Sequence, residues 1–336
     1  MTSPGACILD VEGVRLGLEE KRFLAGADPF GFILFARNVD TPDQLRGLCD
    51  ELRATVGRAA PVLIDQEGGR VQRLGPPHWH AWPAPLDHVA AAGGAAEEAM
   101  FLRARLIAHE LHALGIDVNC APVVDVAGPG THPFLKNRCY AETPDRVAAI
   151  GRAVTEGLLA GGVLPVLKHI PGHGRARADS HMALPVVDAP ADCLRAVDFA
   201  PFRALCDLPM AMTAHVVYSA MDARPATTSP EMLRLIREEI GFDGLVMTDD
   251  IAMRALDGPL ARVARAALAA GCDVVLHCNG SLTEKQQVAE AAGRLSPEAA
   301  ARADRALAAR RVPRPVDIRA LTAKLEALAD GRGDGD

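Results

Sequence analysis

The sequence predicts an α/β fold, a single (β/α)8 barrel of the TIM type with extra C-terminal helices, and three observations carry that expectation. Short apolar runs alternate with longer Ala/Leu/Arg-rich amphipathic segments along most of the chain. The runs are apolar on both faces, as parallel strands covered by helices are. Eight of them occur in alternation with helical segments, which favours a closed barrel over an open doubly wound sheet.

In order, the runs are Cys7–Leu9, Gly31–Phe35, Val62–Ile64, Val118–Ala121, Pro165–Leu167, Ala211–Ala214, Leu245–Thr248 and Val274–His277. Four helices announce their starts with one repeated pattern: Thr41-Pro42-Asp43, Thr143-Pro144-Asp145, Ser229-Pro230-Glu231 and Ser296-Pro297-Glu298. A hydroxyl caps the orphan amides, proline takes the first helical position, and an acid meets the positive end of the dipole. Ala-rich helices follow the last run to about Ala329, and the polar tail Asp330–Asp336 is expected to be disordered. No Pro/Ser/Gly-rich linker divides the 336 residues, so 1–329 reads as one domain.

Composition narrows the function classes. Hydrophobic residues make up 49% of the chain, enough for a sizeable core. The excess of 43 acids over 36 bases, a formal charge of −7, argues against nucleic acid or an anionic membrane as the main partner. Met1–Asp10 lacks the basic and apolar regions of a signal peptide, and no apolar stretch approaches the ~20 residues of a membrane span. The expectation is a cytoplasmic protein. None of the eight cysteines forms a C-x-x-C pair, and several lie in apolar runs, so they read as reduced core thiols.

In such a barrel the chemistry lies at the C-terminal ends of the strands. Strand one runs into Asp10-Val11-Glu12-Gly13, and strand three into Asp65-Gln66-Glu67-Gly68-Gly69-Arg70-Val71-Gln72-Arg73. Strand five ends Lys168-His169-Ile170-Pro171-Gly172-His173-Gly174, and its loop continues to Asp179-Ser180-His181. Strand six ends at His215, strand seven at Thr248-Asp249-Asp250, and strand eight near Cys278-Asn279. One of Asp249 and Asp250 should point into the barrel mouth and the other away, because consecutive strand residues alternate sides. A carboxylate there could be a glycosidase nucleophile, a metal ligand or a helix N-cap. Asp179 can orient His181 and stabilise its protonated form, as a triad aspartate does. His169, His173 and His181 with Asp179 could instead hold a metal. Against that, strand one lacks the paired histidines of metal-dependent barrel amidohydrolases, and no H-E-x-x-H occurs. Arg73, Arg138 and Lys168 are candidate donors to a polar substrate, since sugar hydroxyls and amides need several fixed hydrogen bonds. His109 and His112 read as helix surface, and Trp79 as a loop anchor or a stacking platform.

Taken together, Ile64-Asp65-Gln66-Glu67-Gly68-Gly69-Arg70-Val71, Lys168-His169-Ile170-Pro171-Gly172-His173-Gly174, Ala178-Asp179-Ser180-His181 and Gly241-Phe242-Asp243-Gly244-Leu245-Val246-Met247-Thr248-Asp249-Asp250 resemble family 3 glycoside hydrolases. The likeness is closest to the single-domain bacterial β-N-acetylglucosaminidases of peptidoglycan recycling. It runs in order from about Leu9 to Asn279 and includes Ile33-Leu34-Phe35-Ala36-Arg37-Asn38. Joint agreement of this kind is far more specific than any one motif.

The resemblance implies roles by position. Asp249 matches the catalytic nucleophile, His181 the general acid/base and Asp179 its dyad partner. Asp65, Arg73, Arg138, Lys168 and His169 match the positions that hold N-acetylglucosamine. Two-domain relatives take the acid/base from a second domain, for which this chain is too short. Cys139 after the arginine, Thr248 before the nucleophile and Ile251 depart from the commoner Ser, Ser and Leu; none removes a catalytic group. The implied reaction is double displacement with net retention, requiring no metal or cofactor. A histidine acid/base departs from the usual pair of carboxyl groups but is chemically sound, since imidazole titrates near the working pH. The implied substrates are cytosolic N-acetylglucosaminyl anhydromuropeptides, handled by a monomer rather than an oligomer. Alternatives are a different sugar specificity, phosphorolysis, or a non-catalytic muropeptide-binding barrel, the last disfavoured by an intact nucleophile and dyad.

Overall fold

The computed structural model describes residues 3–177 and 183–329. Its strands are β1 (Gly5–Asp10), β2 (Pro29–Leu34), β3 (Val62–Ile64), β4 (Val118–Asn119), β5 in two pieces (Leu164–Pro165 and Leu167–Ile170), β6 (Met210–Thr213), β7 (Leu245–Asp250) and β8 (Val274–His277). All pair in parallel with their neighbours in chain order, and β8 returns to β1 with Cys7 opposite Val275. The pieces of β5 close the ring, the first against β4 and the second against β6. The expected eight-stranded barrel is therefore present.

Only β3 and β8 keep the expected bounds; β1, β2, β6 and β7 shift or lengthen by one or two residues at their ends, and β4 and β5 differ more. β4 stops short of Ala121, whose N–H turns back to the carbonyl of Asn119 (2.8 Å) instead of bonding a neighbouring strand. β5 is longer than Pro165–Leu167 and breaks at Val166, whose N–H lies against the carbonyls of both Asn119 and Ala121. The long helices outside the ring are α1 (Leu18–Ala27), α2 (Pro42–Val56), α3 (Ala96–His112), α4 (Pro144–Ala160), α5 (Pro230–Glu238), α6 (Leu260–Ala270) and α7 (Leu282–Ala292). Two more, α8 (Pro297–Ala308) and α9 (Ile318–Ala329), are the extra C-terminal helices. The tail Asp330–Asp336 lies outside the described residues.

Three of the four repeated helix starts are capped as their sequence predicts: Thr41, Ser229 and Ser296 accept the N–H three residues on. Thr143 makes no such bond, although Pro144 still opens α4. One apolar cluster runs from Ala6 in β1 to Leu325 in α9 and holds the strands and helices together. Six of the eight cysteines are buried free thiols, and burial pushes Cys7 and Cys49 up to about 12. Because all strands run one way, their C-terminal ends share a single rim, where the candidate residues follow.

Candidate active site

The segment after β3 folds into a short hairpin, Gln66–Gly68 against Val71–Gln72. Its tip needs glycine. Gly68 has φ near +105°, and a Cβ there would run into the guanidinium of Arg103. The buried Gln66 amide then fixes the returning arm: its Oε1 accepts from the N–H groups of Arg73 (2.9 Å) and Leu74 (3.0 Å). The hairpin thus delivers Asp65, Glu67 and Arg73 to one side of the rim.

There they meet two cations from elsewhere in the chain. Lys168 Nζ donates to Asp65 Oδ1 at 2.9 Å and lies 2.6 Å from Glu67 Oε1. Arg138 grips Glu67 with two parallel bonds of 2.8 Å. Arg73 donates to the second oxygen of Asp65 at 3.1 Å. Burial opposes ionisation of Asp65, but Lys168 and Arg73 outweigh it and hold its carboxyl well below the usual range. The same burial acts against Lys168, and Asp65 with Glu67 overcomes it and raises the ammonium pKa. Asp65, Glu67, Arg138 and Lys168 are thus all held in their charged forms.

His169 follows Lys168 and is set from behind. Its Nδ1 donates to Asp125 Oδ2 at 2.7 Å, leaving Nε2 3.4 Å from Arg138. Asp125 also accepts the N–H of His173 at 2.6 Å, so one carboxylate ties the end of β5 to the loop that follows it. Burial and the neighbouring His169 push the His173 imidazole down to about 4. Thr131 donates to the carbonyl of Gly174 (2.6 Å), and Arg175 bonds Asp198 (2.6 Å). Gly174 presses so closely on the carbonyl of Val126 that a Cβ would not fit. The loop is therefore anchored up to Ala176. Asp179 and His181, expected as dyad and acid/base, lie beyond it, outside the described residues.

At the end of β7 the two aspartates divide. Among the described residues, Asp249 accepts a hydrogen bond only from the N–H of Asp250 (2.8 Å). Burial works against its charge, but His215, His169 and Lys168 prevail and lower its pKa, so it is ionised. Asp250 Oδ1 instead accepts the N–H groups of Ala252 and Cys278, both at 3.0 Å, tying the end of β7 to the end of β8. Neither aspartate is a helix N-cap, since the chain goes into turns after Asp250 and α6 opens only after Pro259. Burial raises its pKa to about 7.

These groups surround a cavity of about 400 Å³ at the rim. Asp65, Arg73, Arg138, Lys168, His169 and Asp249 all line it, with Arg70, Phe134, His173 and Asp250. Arg70 lies over the Phe134 ring, 3.4 Å from its centroid. Among the described residues no cluster of His, Cys, Asp or Glu has the arrangement of a metal site. Trp79 packs partly buried against the core, and His109 and His112 are exposed. Sequence reasoning passed over Glu67, Asp125 and Phe134. Asp125 had a signal, a carboxylate between valines just past a strand; Glu67 lay inside a motif but had no visible partner. Phe134 had none.

A model of the glycosyl hydrolase family 3 N terminal domain matches residues 9–314. The chain is 41% identical over 288 residues to a beta-hexosaminidase of Alkalilimnicola ehrlichii, covering 82% of this chain and 81% of that one. It is 40% identical over 277 residues to a beta-hexosaminidase of Methylococcus capsulatus, covering 81% and 82%. Among solved structures, native NagZ from Neisseria gonorrhoeae superposes with a TM-score of 0.85 at 31% identity, covering 99% of both chains. A family 3 β-N-acetylglucosaminidase from a Paenibacillus species also scores 0.85, at 28% identity, with 96% of this chain covering 67% of that one.

Proposed function

From the premise that the chain belongs to glycosyl hydrolase family 3 and is a β-N-acetylhexosaminidase, we propose that it removes terminal β-linked N-acetylglucosamine by double displacement. Asp249 attacks the anomeric carbon, and His181, oriented by Asp179, protonates the departing oxygen. Water deprotonated by His181 then breaks the glycosyl–Asp249 ester with net retention. The observation that carries this reading is convergence: six side chains from four separate strand ends line one cavity. Asp249 combines a lowered pKa with a single hydrogen bond among the described residues, as an ionised nucleophile needs. The charges of Asp65, Arg73, Arg138 and Lys168 are already paired, so their donors and acceptors stand oriented before a sugar arrives. A cavity of about 400 Å³ is at the small end of ligand sites, which favours one terminal sugar over a chain threading through.

The natural substrates in this reading are N-acetylglucosaminyl anhydromuropeptides met in the cytoplasm during peptidoglycan recycling, acted on by a monomer built as one catalytic domain. No helix among the described residues is long and apolar enough to cross a membrane.

Positioned acid/base groups contribute about 10²–10⁴-fold, most where the leaving group is poor. His181→Ala should therefore lower kcat/KM far more on a disaccharide than on an aryl N-acetyl-β-glucosaminide. Azide, which needs no deprotonation, should restore turnover of the aryl substrate. Equal losses on both substrates without azide rescue would remove the acid/base role from His181.

A further inference from the structure

Glu67 does not line the cavity, yet it touches two residues that do. Its side chain is 2% exposed, and both its oxygens are occupied. One accepts from Arg138 Nε, and the other from Arg138 and Lys168 together. We propose that Glu67 is a positioning residue, which aims the Arg138 and Lys168 donors at the sugar without touching it. The inference rests on those two residues holding the substrate.

Geometry supports an aiming role over simple neutralisation. A guanidinium gripped along one edge by a carboxylate fork is fixed in plane and direction. Its remaining donor edge must then face away from Glu67. Lys168 has four rotatable bonds and reaches Asp65 from the same ammonium, so Glu67 and Asp65 together fix where Nζ stands. Without Glu67 the ammonium could swing to Asp65 alone, and Arg138 would lose both parallel bonds.

The main chain of Glu67 is itself held from behind by Arg103. That buried guanidinium bonds the carbonyls of Glu67 (2.6 Å) and Pro83 (2.8 Å) and Nδ1 of His88 (2.8 Å). Burial and the adjacent Arg103 push His88 down to about 4, so its ring is neutral and accepts the bond. Gly68, which cannot carry a Cβ against Arg103, lets that cation come so close. The shell runs from Arg103 through Glu67 to Arg138 and Lys168, with only the last two facing the cavity.

The test is a double-mutant cycle on the intact chain with an aryl N-acetyl-β-glucosaminide, together with thermal unfolding. A lost charge-assisted contact predicts that E67Q raises KM about 10–100-fold, with a smaller fall in kcat. R138K keeps a charge but has no fork, and it should raise KM in the same range. If Glu67 acts through Arg138, the double variant should be little worse than the worse single one. Losses that multiply, or an E67Q that unfolds at lower temperature with KM unchanged, would overturn the inference. R138K impaired beside a normal E67Q would overturn it while sparing the sugar-holding role of Arg138. R138K with unchanged KM would overturn both. Should E67Q fail to fold, E67D retains the charge one methylene short of its partners, and the same criteria apply to it.

Discussion

The two ends of the barrel carry the same chemistry put to opposite uses. At the floor, Asp117 stands just before β4 and Asp273 just before β8. Each accepts an N–H from the start of the preceding strand, Val62 for Asp117 and Val246 for Asp273, both at 2.8 Å. Each also pairs with an arginine of the helix that leads into that preceding strand and with one from the C-terminal region. Asp117 takes Arg53 of α2 and Arg310, and Asp273 takes Arg237 of α5 and Arg302 of α8. Arg53, Arg310 and Arg237 donate onward to carbonyls, Arg237 to those of Phe242 and Gly244. Floor carboxylates therefore bind backbone, and they stitch strand starts to helices.

At the rim the pattern inverts. Asp65 and Glu67 are held by side-chain cations, and the donors of those cations face a cavity. Asp249 accepts one backbone N–H among the described residues. Asp10 is a rim group that behaves like the floor: Arg37, Lys285 and the N–H of Asn279 surround it, and it lies outside the cavity lining. What an ion-paired carboxylate does in this fold is told by its other partners. Backbone amides mark a structural joint, and an open cavity marks a working site.

The contrast is broken most directly at its extremes. Asp249→Asn should lower kcat by about 10⁴-fold or more while leaving thermal unfolding nearly unchanged. A purified variant retaining more than a few per cent of turnover would return Asp249 to the ordinary rim residues. Asp273→Ala should do the reverse. Removing one member of a buried network costs about 3–5 kcal/mol, seen as earlier denaturant unfolding, with kcat/KM of the folded enzyme preserved. A catalytic defect there, without loss of stability, would collapse the distinction between the two ends.

Asp250 sharpens the comparison because it stands at the rim and bonds backbone. Asp250→Asn keeps an oxygen for Ala252 and Cys278, so activity should fall by less than about 10-fold. Its stability should report the raised pKa. Folded, the carboxyl holds its proton up to about 7; unfolded, it releases it near 4. The folded state thus binds the extra proton between those values, and wild-type stability declines as pH rises through that window. The asparagine variant cannot titrate, so its melting temperature relative to wild type should climb between pH 4 and 7.5, by on the order of 5 °C. A flat difference would mean that Asp250 is ionised throughout.

The barrel itself was legible because its signals are local. Eight apolar runs, the proline-opened helices and the polar residues after each strand can all be read within a few positions, and burial on both faces demands such runs. Asp249, Asp65, Lys168 and His169 stood out because they end strands, and all the ends of a parallel barrel share one rim. Pairing was a different matter. Glu67 and Arg138 are 71 residues apart, Asp125 and His169 are 44 apart, and Asp65 and Lys168 are 103 apart. Nothing in the local pattern couples them, because only ring closure brings those strand ends to bonding distance. The same holds for Thr143, which carries a capping residue's sequence without a cap bond, and for the split of roles between Asp249 and Asp250. The sequence determined which residues reach the rim; tertiary structure decided which of them face the cavity and which hold others in place, since that depends on neighbours supplied by distant turns of the chain.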